Sequence, residues 1–190
     1  MTKNVTIVGA GALGSHLAQF LRSEAQLKVI DFDRVEAKNV LAQFHGKSAV
    51  RQLKVTALSS VMNFLWGIKI ETNSNKLVEN NVEQLLGHPD LIIDCLDNGV
   101  SRRVVQRYTR QEAIPCLHGA LAADGAFGRV VWESFVVDDE DAAGAPTCED
   151  GDHLPMIAVV AAHLARAAQI YLRTGKRIGF AISPTNVIGV

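Results

Sequence analysis

Three glycines and a short string of acidic residues carry the chemistry most readable in this chain. Gly9, Gly11 and Gly14 stand in N-V-T-I-V-G-A-G-A-L-G-S-H-L, Asn4 to Leu17, where a β-branched run breaks into a glycine turn and then into a helix pattern. Such a turn lets the backbone approach a phosphate, and the helix N-terminus adds amide donors and a positive dipole end. Asp31 follows the short apolar run Leu27, Val29 and Ile30, where a carboxylate can accept hydrogen bonds from ribose hydroxyls. Those features suit NAD as well as ATP.

Lys54 reads as lying inside the apolar face of a helix over Ala49 to Leu65, among Val50, Leu53, Ala57, Leu58, Val61 and Leu65, with Ser48 as N-cap. An ammonium there is costly unless it snorkels outward or meets an anion. Asp97 falls at the carboxyl end of the buried-type strand Leu91 to Ile93. It can hold magnesium there, or cap the helix that begins near Val100. Cys148 sits in an acidic stretch with glycines, Asp138 to Asp152, expected to be a mobile loop. Acidic neighbours disfavour a thiolate, so an ordinary loop thiol and a nucleophile both stay open.

The elements that must position these residues follow from periodicity. Leu13, Leu17, Phe20 and Leu21 make an apolar stripe over Ala12 to Ser23. Further strands are expected at Leu27–Ile30, Ile68–Thr72, Leu91–Ile93, Pro115–Leu117, Arg129–Val137 and Arg177–Ile182, with a short helix at Val82–Leu86. Arg103, Arg107 and Arg110 recur at helical spacing and read as a solvated face. Alternating strands and helices through residue 118 imply an α/β, doubly wound, Rossmann-like and mostly parallel sheet. Later strands are expected to extend it in mixed orientation. Residues 1–190 are expected to form one nucleotide-binding domain.

Past Asp31 the string continues through Asp33, Val35, Glu36 and Asn39, then Gln43, Lys54, I-D-C-L-D-N from Ile93 to Asn98, and A-P-T-C-E-D-G-D-H-L-P from Ala145 to Pro155. In these ordered motifs, over nearly its whole length, the chain resembles the ThiF/MoeB adenylyltransferases related to ubiquitin-activating enzymes. The resemblance implies ATP and magnesium as cofactors. Gly9, Gly11 and Gly14 would form the phosphate loop, Asp31 would hold the ribose with Asp33 nearby, and Asn39, Gln43 and Lys54 would face the nucleotide. Asp97 would bind the magnesium, and Lys54 and Asp97 would be the catalytic pair. It also implies a cysteine on the Cys148 loop that can be a nucleophile in some members, and Arg102 coincides with an arginine of the family pattern. The implied acyl partner is the C-terminus of a ubiquitin-like or sulfur-carrier protein, or a small-molecule carboxylate, and the implied assembly is a homodimer.

Two departures stand out. The family arginine that follows Asn39 by three residues is Ala42 here, with Lys47 and Arg51 the nearest substitutes. The N-terminal arginine segment that reaches a neighbouring subunit is expected to be missing. Three cysteines without C-x-x-C spacing imply no zinc and a reducing, cytoplasmic setting. A net charge of −1 gives no field for nucleic acid. Met1 to Val5 shows no signal peptide, and Leu154 to Ile170, broken by His163 and Arg166, is read as too short to span a membrane. A catalytically silent subunit that completes a partner's site remains an alternative, and an NAD-dependent dehydrogenase a weaker one.

Overall fold

The protein's architecture is seen in a computed structural model that describes residues 2–132 and 151–190. Its centre is β1, Asn4–Val8, whose residues alternate between two buried faces. Val5 and Ile7 join the cluster that holds Leu13, Leu17, Leu58, Ile157 and Leu164, while Val8 joins Leu85, Leu86, Val104 and Val105 on the other side. A strand buried on both faces needs helices on both, which is the doubly wound condition.

The chain runs β1, α1 (Ala12–Phe20), β2 (Gln26–Ile30), α2 (Lys54–Trp66), β3 (Glu71–Asn73), α3 (Val82–Leu86), β4 (Leu91–Asp94), α4 (Gly99–Gln111) and β5 (Cys116–Leu121). It continues through β6 (Gly128–Val131), α5 (Leu154–Thr174), β7 (Phe180–Ser183) and β8 (Asn186–Gly189). The strands form one eight-stranded sheet in the order β3-β2-β1-β4-β5-β6-β7-β8. The first five are parallel and the last three antiparallel, as the sequence pattern implied. From β1 the chain winds outward to β2 and β3, then crosses back to β4 and β5. The carboxyl ends of β1 and β4 therefore flank the crevice where α/β sheets bind ligands.

Several sequence expectations shift. The helix expected from Ala49 begins at Lys54 with Leu53 as its N-cap, so Ser48 caps nothing there and Val50 lies outside it. The cause is the D-x-D segment: Val35 N–H donates to the Gln52 carbonyl, and Arg51 and Lys54 N–H donate back to Val35 and Asp33. That pairing holds Leu53 extended (φ −60°, ψ 135°) and places Lys54 in the first turn of α2. Leu65, assigned to the buried stripe, is instead 48% exposed. The third strand lies at Glu71–Asn73 rather than starting at Ile68, and β8, after the Pro184–Thr185 turn, had no counterpart in the reading. α5 is 21 residues, longer than the stretch read from sequence; by length and composition it could cross a bilayer, but Ile157, Val160, Ala161, Leu164 and Ala168 are buried in the core. Residues 133–137 of the expected long strand lie outside the described residues, as do Cys148 and all but Gly151 and Asp152 of the acidic stretch.

Candidate active site

The glycine turn is built by close approach. Gly9 has φ +96°, and a Cβ there would lie 2.9 Å from the Cys95 carbonyl oxygen. A Cβ on Gly14 would lie 1.8 Å from the Gly9 carbonyl oxygen, so α1 packs against the turn only because residue 14 is glycine. Gly11 differs: no atom lies within 4 Å of its ideal Cβ, and it faces open space.

That space is a cavity of about 150 Å3 lined by Gly9, Gly11, Asp31, Asp33, Lys54 and Asp97, together with Phe32, Asn75, Leu77, Leu96 and Asn98. Asp31 holds the turn. One carboxylate oxygen accepts the Ala10 N–H at 2.6 Å and the other the Asp33 N–H at 2.8 Å. Burial pushes the Asp31 carboxyl above its usual range, against the pull of Lys54 and of the two amides. Lys54 donates to Asp33 Oδ2 at 3.1 Å. Burial alone would lower the Lys54 ammonium, but Asp31, Asp33 and Asp97 around it leave it raised and charged.

Asp97 is released for the cavity by its neighbour. Asn98 is the N-cap of α4, its Oδ1 accepting from Ser101 N–H at 2.8 Å, which corrects the alternative that Asp97 caps this helix. The N-termini of α1, α2 and α4 thus all reach the cavity wall through Gly11, Lys54 and Asn98.

Not every residue named from sequence is brought here. Asn39 is 6% exposed but closes a tight turn, its Oδ1 accepting from the Glu36 N–H. It does not line the cavity. Gln43 is buried with its Oε1 unpartnered, also off the cavity wall. Ala42 is fully buried, and Lys47 and Arg51 are exposed and outside the lining, so neither stands in for the family arginine. Arg103, Arg107 and Arg110 are exposed, as a solvated face requires.

Two arrangements escaped the sequence reading. His45 is 5% exposed, and its Nε2–H donates to the Ala10 carbonyl at 3.0 Å, which leaves Nδ1 bare. Burial, chiefly, keeps this imidazole below its ordinary pKa and hence neutral. Ala10, between the two turn glycines, is therefore held at its amide by Asp31 and at its carbonyl by His45. The other arrangement is a buried polar set below the β4 end, where His118 Nδ1 lies 2.9 Å from Asp94 Oδ2 beside Arg102. Its members were visible in sequence only separately, as Asp94 in I-D-C-L-D-N, Arg102 of the family pattern and a His-Gly pair inside an apolar strand.

A glycine turn at the switch point, with an acidic residue ending β2 and a lysine across the crevice, defines a nucleotide-binding α/β domain. Within that class the chain belongs to the ThiF family, whose pattern it matches over residues 1–178. It is 30% identical over 125 residues to the SAMP-activating enzyme E1 of Haloferax volcanii, covering 64% of this chain and 46% of that protein. It is likewise 30% identical over 118 residues to the molybdopterin-synthase adenylyltransferase of Haemophilus influenzae, covering 60% of this chain and 49% of that one. The chain thus spans about half the length of these curated relatives or less. Among solved structures, E. coli MccB with AMPCPP and MccA superposes with a TM-score of 0.80 at 14% identity, covering 99% of this chain and 62% of that one. PaaA superposes with a TM-score of 0.74 at 16% identity. At that identity the likeness establishes the fold.

Proposed function

We propose that this protein is an ATP-dependent adenylyltransferase that activates a carboxylate. A carboxylate oxygen attacks the α-phosphorus of ATP, the bond to the β-phosphate bridging oxygen breaks, and an acyl adenylate and pyrophosphate result. The nucleophile is already ionised at neutral pH, so no general base is required. Catalysis is then alignment plus charge neutralisation. The observation that carries this reading is the convergence of Lys54, Asp31, Asp33 and Asp97 on the cavity beside Gly9 and Gly11. A volume of about 150 Å3 is below the range of about 300–1,000 Å3 usual for ligand pockets, so a nucleotide would extend beyond its mouth.

Within it, Asp31 would accept from the ribose hydroxyls with the lone pairs its two amides leave free. Lys54 would exchange its Asp33 contact for a phosphate oxygen, and the Gly9–Gly11 turn would present amides to the phosphates. The oxygen donor of Asp97 fits magnesium, which typically takes one or two protein carboxylates together with substrate phosphates. Among the described residues no cluster of three or more His, Cys, Asp or Glu could by itself enclose a metal. Bound there, magnesium would neutralise developing phosphate charge. Asn39 and Gln43 would act by shaping the adjoining turn.

The acyl substrate on this reading is the C-terminus of a ubiquitin-like or sulfur-carrier protein, as the names of the relatives suggest, or a small-molecule carboxylic acid. The one-domain, cytoplasmic homodimer without zinc completes the proposal. The test is ATP–pyrophosphate exchange against a panel of carboxylates and ubiquitin-like proteins. Exchange is expected in the parent and reduced at least a hundredfold in Lys54→Met and Asp97→Asn, both natively folded. No exchange with any acceptor, alongside intact nucleotide binding, would instead make the chain a silent subunit, the reading that buried Ala42 favours.

A further inference from the structure

Arg102 lies in the first turn of α4 and is only 9% exposed. Its Nε–H donates to the Leu96 carbonyl at 2.6 Å, and its Nη2 donates to the Gly119 carbonyl on β5 at 2.7 Å. Nε also lies 3.9 Å from Asp94 Oδ2, which His118 contacts from β5. The other oxygen of Asp94 accepts the Leu96 N–H at 2.9 Å. The Leu96 residue is therefore gripped at both its amide and its carbonyl, and Cys95 N–H is tied to the Val8 carbonyl at 2.8 Å. Leu96 immediately precedes Asp97.

We propose that Arg102 is a positioning residue that fixes the turn presenting Asp97, acting through the Leu96 carbonyl and anchored on β5. The inference rests on the reading that Asp97 meets a nucleotide-bound magnesium. A planar guanidinium supplies donors in fixed, diverging directions, which suits two carbonyls on different elements. Lysine keeps the positive charge that a fully buried Asp94 needs, yet offers a single point of attachment in place of the fork. The charge requirement and the positioning role can therefore be separated by substitution.

The experiment measures affinity for α,β-methylene ATP by calorimetry, with magnesium and with EDTA, in the parent, Arg102→Lys, Asp97→Asn and the double variant. Arg102→Lys, folded by circular dichroism, is expected to reduce the magnesium-dependent gain in affinity at least fivefold while leaving the metal-free affinity unchanged. The double variant is expected to fall no further than Asp97→Asn alone, because one effect runs through the other. A parental magnesium gain in Arg102→Lys, additive losses in the double variant, or an equal loss of metal-free affinity would overturn the proposal.

If Arg102→Lys does not fold, Asp94→Asn takes its place. It keeps an acceptor for the Leu96 amide and loosens the guanidinium, so a smaller loss of the same kind is expected, and a parental gain would overturn the proposal equally. If the parent shows no magnesium-dependent gain at all, the reading of Asp97 has failed. Amide hydrogen exchange at residues 95–98 then tests the clamp alone: protection should fall at least tenfold in Arg102→Lys, and unchanged protection refutes it.

Discussion

Gly11 and Gly14 belong to one motif but answer to different demands, and alanine at each should separate stability from binding. At Gly14 the new Cβ would sit 1.8 Å from the Gly9 carbonyl oxygen and 3.4 Å from the Cys95 side chain. Real Cβ contacts essentially never fall under 3.0 Å, so α1 must retreat by more than an ångström or the turn must deform. Overpacking costs about 1–3 kcal/mol where side chains can adjust, and the obstacle here is backbone. A loss of about 3 kcal/mol or more follows, which lowers the melting temperature by about 6–12 °C in a chain of this size. At Gly11, with φ −77° and nothing within 4 Å, alanine meets no atom. The entropy gained from a stiffer unfolded chain roughly offsets the poorer N-cap, so stability should stay within about 1 kcal/mol. The added methyl nevertheless intrudes where phosphates must approach, and ATP affinity should fall at least tenfold. Urea unfolding and calorimetric ATP titration of both variants provide the assay. If Gly11→Ala destabilises as much as Gly14→Ala, or binds ATP like the parent, the division of labour argued here is wrong.

Three further outcomes follow from local structure. His45 is held neutral by burial, with a folded pKa below the ordinary value near 6.5. Its contribution to stability is fully present above pH 6.5 and is lost as pH falls from there through the folded value, with a slope of at most about 1.4 kcal/mol per pH unit. His45→Gln should flatten the stability profile between pH 6.5 and 5; His16, shifted the same way, supplies the remaining slope. An unchanged profile would remove His45 from that role. Ala113, just past α4, has φ +51°, and Ile114 N–H reaches back to Thr109 to close the helix end. Ala113→Gly should therefore raise stability by about 0.5–1 kcal/mol in urea titration, and a loss would contradict the left-handed cap. Because burial raises the Asp31 pKa, its charge opposes folding at neutral pH. Asp31→Asn removes that charge but also one of the two acceptors for the Ala10 and Asp33 amides. It should therefore melt lower than the parent at pH 7 while binding ATP at least tenfold more weakly; an unlowered melting temperature would show that the turn does not depend on both acceptors.

How much of this was legible in the sequence depended on whether local pattern or tertiary pairing decided the outcome. The glycine turn, Asp31 and the alternation of strands and helices were legible because β-branched runs, glycine spacing and helical stripes are local signals. The start of α2 was not. Val50, Leu53 and Leu58 satisfy helical spacing, but the antiparallel pairing of residues 33–35 with 51–54 keeps the first two of them out of the helix. That error mattered, because it cast Lys54 as an intruder in an apolar face, whereas it stands in a helix's first turn facing three carboxylates. The capping role left open for Asp97 beside magnesium binding falls one residue later, since Asp and Asn both cap well and only geometry chooses Asn98. β8 is exposed along its length, so no buried face marked it. The motif residues Asn39 and Gln43 were legible by resemblance, but their burial away from the cavity wall was not.

The charge arrangement of the cavity bears on how it could hold a triphosphate. Asp31, Asp33 and Asp97 outnumber Lys54, so side chains alone present an acidic wall to a polyanion. Ala42 sharpens the imbalance by putting a buried methyl where the family has a guanidinium. Three helix N-termini offset part of it, each equivalent to roughly half a positive charge within its first turn. Even together they serve only phosphates close to the amides. The excess of carboxylate is otherwise well matched to a divalent cation carried in by the nucleotide, and the Lys54–Asp33 pair then has a defined role. The pair neutralises both partners. When phosphates arrive the ammonium can turn to them, and the released Asp33 carboxylate can be balanced by the incoming cation. On the proposed reading the site would not be short of positive charge, because much of it would arrive with the nucleotide.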